Sequence, residues 1–434
     1  MTQPKASTGQ QPQRAAPSSD AYDVAIIGGG VVGLATAYHL SRAGRRTLLL
    51  ERAELGSGCS GGNAGLAGPR YSMPLAAPGV PRTALRWMLD PESPLYIRPR
   101  LEPALVPWFW RFWRASRRAQ VQRAIPLLRD MHRLTLKLID EMHTREPLPC
   151  DLTHNGQLMV YGGDRGLAGG AADARWLQAH GIPSRLLDPP SLRRMLPPAA
   201  PDLAGAVHYT SDVHLNPSGF LTALADRARA AGAQIREQCA VEWIERRGRR
   251  IRGLATACGM VRAGEYVLAA GAWSPQLARQ LDLRIPLQPA KGYSMTIDAP
   301  RDFPHLGMLL AEAKVAVSRL GAHLRFAGTL ELAGMDHAIN DRRVAAIRRA
   351  VRRYLPGVPQ PPPTVAVWHG LRPLSPDTLP YLGRPRRYEN LVVATGHSMI
   401  GLSLGPATGM LVTQILQGEP PAIDLRLLRA DRHG

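Results

Sequence analysis

The sequence contains few cysteines and no recognisable metal-binding spacing. Its four cysteines, at positions 59, 150, 239 and 258, form no CxxC pair, and its thirteen histidines form no HExxH motif. Structural zinc sites need such closely spaced ligands. We therefore expect no metal, and we expect the thiols to be reduced, as in a cytoplasmic protein.

Long hydrophobic runs are also missing. No stretch of membrane-spanning length is free of charges or turn residues, and residues 1–20 are polar without the apolar core of a signal peptide. We expect a disordered tail at 1–20 and no spanning helix. With 434 residues, 45% of them apolar, the chain is long enough for two or three globular domains.

Lysine is scarce, although the formal net charge is +20. Only four lysines occur, so arginine carries almost all of the positive charge. Codon bias can produce such a skew as readily as function can. A basic surface permits contact with nucleic acid or an anionic membrane, but a solvated surface is the simpler interpretation, and no nucleic-acid partner is expected.

The most informative motif is YDVAIIGGGVVGLATAYHLSRAGRRTLLLE, at residues 22–51. A strand pattern runs directly into a GxGxxG turn and a helix, a unit that binds a pyrophosphate at the helix N-terminus. A second strand ends at Glu51, whose carboxylate can accept hydrogen bonds from a ribose and would repel the 2′-phosphate of NADP. The residues expected at this dinucleotide site are Gly28, Gly30, Val31, Val32, Gly33, Glu51 and Arg52.

A second glycine-rich loop, RAELGSGCSGGNAG at residues 52–65, follows the second strand. A flavin needs close backbone approach here, whereas a nicotinamide dinucleotide has no evident need for this loop. A flexible surface loop is the alternative. The small and polar residues expected to contact a flavin are Ser60, Asn63, Ala64 and Gly65.

These motifs resemble the flavoprotein family of D-amino acid oxidases and dehydrogenases, glycine oxidase and sarcosine oxidase. The resemblance rests on GGGVVG, LLE and SGGNAG, and is strongest to the bacterial D-amino acid dehydrogenase small subunit. That similarity continues through segments 73–97, 291–297, 369–384 and 390–397. Cys59 and two glycines before NAG depart from the dehydrogenase pattern, and GHSMIGLSLGPATG is more similar to glycine oxidase.

The resemblance implies an α/β fold with a Rossmann-like FAD-binding domain and a second, mostly antiparallel α+β substrate domain. The FAD-binding domain is expected at 21–85, 205–285 and 366–425, and the substrate domain at 86–204 and 286–365. Two later strand–turn–helix segments are expected to face the non-covalently bound FAD through Ala270, Gly271, Gly396, His397, Ile400 and Gly401. No cysteine follows Cys258, which excludes a cysteinyl flavin link from the last of these segments.

Arg372, in HGLRPLSPD, is the expected substrate-binding residue. A guanidinium matches a carboxylate in a bidentate way and stays charged when desolvated, and the arginine of this motif has that role in similar enzymes. A structural ion pair with Asp377 is the alternative. Tyr293 is a second expected substrate contact, with a core tyrosine as its alternative.

The implied reaction is oxidative deamination of a D-amino acid to a 2-oxo acid and ammonia, with hydride passing to flavin N5. Orientation carries most of this catalysis, so no catalytic base is expected. Electrons would pass to a quinone chain or to oxygen. D-hydroxyproline dehydrogenase and glycine or sarcosine-type oxidase remain alternatives, as do a tRNA-acting flavoprotein and an FAD subunit that needs partners.

The segment PALVPWFWRFWRASRR, at residues 103–118, concentrates aromatic side chains among arginines. A helix of this composition is typical of a peripheral membrane anchor, here on the inner face of the membrane. Aromatic residues of a two-domain enzyme also pack in cores and interfaces, and periodicity does not separate these interpretations.

Overall fold

The computed structural model of the protein describes residues 22–80, 95–98, 100 and 102–433. The tail expected at 1–20 and part of the segment at 73–97 lie outside these residues. The helices of the described residues are α1 (Val31–Arg42), α2 (Leu105–Ala115), α3 (Arg118–Arg145), α4 (Asp164–Gln178), α5 (Pro189–Met195), α6 (Pro217–Ala230), α7 (Ser274–Gln280), α8 (Asp341–Tyr354) and α9 (Gly401–Gln417).

The strands of the described residues run throughout the chain. In chain order they are β1 (Tyr22–Ile27), β2 (Thr47–Leu50), β3 (Leu66–Ala67), β4 (Leu95–Ile97), β5 (Gln157–Tyr161), β6 (Ser184–Leu187), β7 (Gly205–Tyr209), β8 (Val213–His214), β9 (Gln234–Arg236), β10 (Val241–Arg247), β11 (Arg250–Thr256), β12 (Gly259–Val261), β13 (Ala263–Leu268), β14 (Gln288–Asp298), β15 (Gly307–Leu310), β16 (Val315–Leu320), β17 (His323–Leu332), β18 (Val367–Leu374), β19 (Tyr381–Gly383) and β20 (Leu391–Thr395).

A six-stranded sheet carries the glycine motif. Its order is β19-β20-β13-β1-β2-β9, and every pairing is parallel except β19 with β20. The inner strands are almost continuously apolar because both faces of a parallel sheet are covered. The carboxyl ends of β1 and β13, which pair side by side, therefore bring two distant glycine-containing turns together.

A nine-stranded, mostly antiparallel sheet forms the second layer of structure, in the order β18-β14-β17-β16-β15-β5-β7-β6, with β4 beside β17. Strands β7 and β18 belong to this sheet, although the expected boundaries assign their residues to the FAD-binding domain. The boundary at 366 is corrected because β18 pairs with β14 over eight residues.

Close helix packing holds α1 against α9. A Cβ atom on Gly409 would lie 2.5 Å from the backbone of Ala35, and one on Gly405 would lie 2.8 Å from Val31. Glycine at these two positions lets the helix backbones approach closely. Helix α1, which begins at the glycine turn, is thereby held in place by α9. This packing also holds the turn in position.

The expectation of four reduced thiols is wrong for one pair. Cys239 and Cys258 form a disulfide, with Cα atoms 5.5 Å apart. The two residues are 19 positions apart, and the backbone bond from Ala257 N–H to the carbonyl of Ala240 brings their segments together. Pairing of this kind depends on tertiary structure, so the sequence spacing did not indicate it.

Helix α2 has one buried and one exposed aromatic face. Trp108 is buried and stacks on Phe112, whereas Trp110 and Trp113 are each more than half exposed. The guanidinium of Arg114 lies 4.6 Å from the Trp110 ring. Within the described residues no helix combines the length and apolarity that crossing a bilayer requires.

Candidate active site

The GxGxxG turn lies between β1 and α1 and leaves no space for a side chain at Gly28 or Gly33. Gly28 has φ +115° and approaches the carbonyl of Ala269, and a Cβ atom on Gly33 would overlap the carbonyl oxygen of Gly28. Gly30 is the N-cap residue of α1. The turn therefore exposes backbone N–H groups at a helix N-terminus, which is the arrangement that binds pyrophosphate.

Glu51 and Arg52 follow β2, beside this turn. The Glu51 carboxylate accepts hydrogen bonds from the N–H groups of Gly29, at 2.6 Å, and Ala53, at 3.0 Å. The Arg52 guanidinium lies 4.1 Å from the ring of Trp273. Trp273 was not identified from the sequence, since nothing in its local pattern separates it from a core tryptophan.

The second glycine-rich loop is tied down on both sides. Ser60 Oγ accepts from the N–H of Val31, at 3.2 Å, and Asn63 Oδ1 accepts from the N–H of Gly65, at 2.8 Å. From the other sheet, Arg325 Nη1 donates to the carbonyls of Gly61 and Asn63. These bonds hold the loop between the two sheets, contrary to the flexible-loop alternative.

A first cavity, of about 570 Å³, runs along these turns. Most of the residues expected at the cofactor line it, and the glycine backbones leave the room that a dinucleotide needs, so the residues present fit FAD. Gly33 packs behind the turn, and Gly65 lies outside the cavity wall. The expected residues in the wall are Gly28, Gly30, Val31, Val32, Glu51, Arg52, Ser60, Asn63, Ala270, Gly271, Gly396, His397 and Gly401.

A second cavity, of about 1180 Å³, adjoins the first on the side of the nine-stranded sheet. Ala64 and Ile400, which we expected at the flavin, line this second cavity. The two cavities share a boundary that includes Arg372, and the residues common to both walls are Cys59, Asn63, Trp368, Gly370, Arg372 and Ser398.

Arg372 extends from β18 at this boundary. Its Nη1 donates to the carbonyl oxygen of Thr329 at 2.7 Å, and its guanidinium covers Gly292, where a Cβ atom would overlap it. Burial lowers the pKa of Arg372, but an arginine keeps its charge in proteins. No carboxylate among the described residues lies within ion-pair distance of it.

Asp377, the alternative ion-pair partner of Arg372, is bound elsewhere. Both of its oxygens accept from Arg432, at 2.7 and 2.8 Å. Arg432 also holds the pKa of Asp377 below its ordinary value, against the effect of burial. The structural ion-pair interpretation of Arg372 is therefore excluded for this carboxylate.

Thr329 occupies an unusual backbone conformation directly beside Arg372. Its φ is +71°, a region that β-branched residues rarely adopt. The pairing of β14 with β17 shifts between Lys291 and Tyr293, as at a β-bulge, and this irregularity faces Thr329. The bulge orients the Thr329 carbonyl toward the guanidinium. A register irregularity cannot be read from sequence, so Thr329 was missed.

Two titratable groups that line the first cavity are held neutral. Burial lowers the pKa of His397 to about 3, and its Nε2 lies 2.9 Å from Thr408 Oγ1. Burial raises the pKa of the Cys59 thiol to about 11, although Arg372 opposes this. Near neutral pH neither group carries charge, so Arg372 dominates the electrostatics of the boundary.

Tyr293 is not where a substrate contact would be. Its side chain is buried, donates to Glu331 Oε2 at 2.6 Å, and packs in the core of the nine-stranded sheet. Among the described residues it lines neither cavity. The expectation is corrected because side chains alternate along β14, so Gly292 faces Arg372 and Tyr293 faces away.

The glycine turn, the carboxylate at the end of β2 and the glycine-lined cavity define a dinucleotide-binding protein. A model of the FAD dependent oxidoreductase (DAO) family matches residues 23–415, and the chain belongs to this family. The predicted α/β fold class and FAD-dependent oxidoreductase activity are thereby confirmed.

Curated relatives match over nearly their whole length. The chain is 33% identical over 412 residues to a D-amino acid dehydrogenase of Methylobacterium radiotolerans, covering 92% of this chain and 97% of that one. It is 32% identical over 426 residues to a D-amino acid dehydrogenase of Bradyrhizobium diazoefficiens, covering 94% and 98%.

Solved structures show the same fold. Glycine oxidase from Geobacillus kaustophilus superposes with a TM-score of 0.77 at 24% identity, over 96% of this chain and 100% of that one. Iminodiacetate oxidase from Chelativorans sp. superposes with a TM-score of 0.72 at 21% identity, over 94% and 98%. At such identities the likeness establishes the fold alone.

Proposed function

We propose that the protein catalyses the oxidative deamination of D-amino acids to 2-oxo acids and ammonia, with FAD bound non-covalently. The D-amino acid dehydrogenases among its relatives support this substrate class. The observation that carries the proposal is the position of Arg372, a partly buried cation without a carboxylate partner among the described residues, at the boundary of the two cavities.

The residues at the boundary favour binding and orientation over proton transfer. Arg372 would hold the substrate carboxylate, and the Thr329 carbonyl and Gly292 backbone would hold Arg372 in place. FAD, when bound, supplies the two-electron acceptor for the α-carbon hydrogen. The imino acid then takes up water and releases ammonia, which leaves the 2-oxo acid. His397, neutral through burial, would contact the cofactor without adding charge.

We further propose that electrons pass to a respiratory acceptor while the protein rests on the inner face of a membrane. Val106, Trp110 and Trp113 are exposed on one side of α2, and Arg114 and Arg117 lie against the two tryptophan rings. Apolar rings flanked by cations match the boundary between acyl chains and anionic headgroups.

Replacing Arg372 tests the proposed substrate site. We expect Arg372→Leu to lower kcat/KM by at least about 30-fold, equivalent to ~2 kcal/mol, chiefly through KM, because the substrate carboxylate loses its charged partner. Flavin content should be unchanged. Steady-state kinetics and the ratio of visible to protein absorbance measure both quantities.

Arg372→Lys and Arg247→Leu are the matched controls. The lysine keeps a positive charge without the bidentate geometry. Its kcat/KM should therefore lie between those of the unmodified enzyme and Arg372→Leu. Arg247 is exposed at the end of β10, and its replacement should leave kinetics unchanged. If Arg372→Leu retained the kinetics of the unmodified enzyme, Arg372 would not be the substrate-binding residue.

A further inference from the structure

The size and lining of the second cavity indicate which substrate side chains it can accommodate. Building on the proposed function, we propose that the preferred substrates are D-amino acids with a large apolar side chain, aromatic or long aliphatic, which the second cavity receives while Arg372 holds the carboxylate. Small-ligand sites typically enclose roughly 300–1,000 Å³, and this cavity, at about 1180 Å³, exceeds that range.

One wall of the cavity is an aromatic surface on α2. Trp108, Phe109, Phe112 and Trp113 all line it. Trp108 and Phe112 stack with centroids 5.5 Å apart, and Trp108 and Phe109 meet edge to face at 5.3 Å. Rings packed against one another in this way form a rigid apolar surface, which favours another apolar group over a hydrated polar one.

Small residues on the nine-stranded sheet keep another part of the cavity wall open. Ala316 on β16 and Ala327 on β17 are cross-strand partners, and both line the cavity. Directly opposed side chains on adjacent strands lie within about 5.5 Å of each other. Two alanines at paired positions therefore create a depression in the sheet, and Leu330 and Leu332 continue the apolar wall along β17.

Polar groups also line the second cavity, and some of them already have partners within the protein. Arg70 is buried, 3.5 Å from Asp212, and its guanidinium lies 3.9 Å from the Tyr71 ring. Lys314 and Asp173 also line the wall. A substrate with a charged side chain is therefore the rival occupant, and the experiment must distinguish it from an apolar one.

The test is a comparison of kcat/KM across D-alanine, D-valine, D-leucine, D-phenylalanine, D-tryptophan, D-glutamate and D-lysine with the FAD-loaded enzyme. Each buried methylene should add roughly three- to fourfold. We expect kcat/KM for D-phenylalanine or D-leucine to be at least tenfold higher than that for D-alanine. The difference from D-glutamate and D-lysine should be larger still. A kcat/KM for D-alanine equal to that for D-phenylalanine and D-leucine would overturn this inference, as would a higher kcat/KM for D-glutamate or D-lysine. Either result would leave the proposed function standing.

Filling the depression tests the location. Ala316→Phe should lower kcat/KM for D-phenylalanine at least tenfold while changing that for D-alanine less than about threefold. Ala322→Phe, at an exposed alanine in the turn of the same β16–β17 hairpin, is the matched control and should change neither. An equal loss for both substrates in correctly folded, flavin-loaded Ala316→Phe would contradict the placement.

A binding measurement on the unmodified enzyme avoids any dependence on variant folding. Acetate, 3-phenylpropionate and glutarate carry the carboxylate that Arg372 would hold, and their binding is followed by the shift of the flavin absorbance. We expect 3-phenylpropionate to bind at least tenfold more tightly than acetate and than glutarate. Equal affinities would overturn the inference. If no amino acid reduced the flavin at all, the proposed function itself would fail.

Discussion

Arg372 is held in position by two uncharged residues. Gly292 leaves space for the guanidinium, and Thr329, at φ +71°, directs a carbonyl oxygen to it. A strained backbone conformation persists only where the surrounding structure enforces it, and such residues cluster at functional sites. Orientation of the cation is thus determined by the backbone of β14 and β17 rather than by a partner carboxylate.

Gly292→Ala should therefore displace the guanidinium without removing it. We expect KM for a D-amino acid to rise about tenfold or more while flavin content stays unchanged, because the added methyl group overlaps the guanidinium. Gly163→Ala is the control, since a Cβ atom there meets no other atom within 4 Å. An unchanged KM in Gly292→Ala would show that the position of Arg372 does not depend on this glycine.

Arg372 and the glycines can be singled out from local sequence, whereas their surroundings depend on tertiary structure. GxGxxG and the arginine of HGLRP are local patterns whose chemistry is tied to residue type. Tyr293 was misplaced because the pleat of β14 decides which of two neighbours faces the cavity, and Thr329 was missed because a bulge is a property of two strands together. Both depend on register.

At the scale of elements, helix positions followed from periodicity more reliably than helix ends did. Apolar residues recur with helical spacing over residues 126–146, which predicts a helix there, whereas α3 begins at Arg118 and includes Pro126 within it. A proline normally marks a helix start. Here the buried residues Val121, Ala124 and Ile125 extend the apolar face ahead of it, and tertiary packing outweighs the local preference.

The exposed aromatic side chains of α2 are expected to bind a membrane surface. We expect the protein to pellet with vesicles that contain anionic lipid, and Trp110→Glu to reduce the bound fraction several-fold, because a carboxylate at the interface is repelled and resists dehydration. Trp110 is 53% exposed and does not line the second cavity, so catalysis in solution should be unaffected.

Trp243→Glu is the matched control for this experiment. Trp243 is 59% exposed, but it lies on the separate three-stranded sheet of β10, β11 and β12. Its replacement should leave vesicle binding unchanged. No pelleting of the unmodified protein, or equal losses in both variants, would contradict a membrane-binding role for α2.

At the scale of the whole molecule, the site exists only where the two sheets meet. The site combines residues that are far apart in the chain: the glycine turns of the six-stranded sheet, Arg372 of β18 and the aromatic wall of α2. Family motifs indicated that the glycine turns and Arg372 belong together, but they did not connect α2 with them. The second cavity, the strands at the domain boundary and the Cys239–Cys258 disulfide depend on long-range pairing, so the sequence alone did not indicate them.

The most direct test of the account is anaerobic reduction of the protein-bound flavin by D- and L-amino acids, glycine and D-hydroxyproline. We predict that D-isomers with apolar side chains bleach the visible flavin bands, that L-isomers do not, and that readmitted air or an added quinone identifies the electron acceptor. A yellow protein that no amino acid bleaches would contradict the proposed activity and favour a partner-dependent subunit or a tRNA-acting flavoprotein.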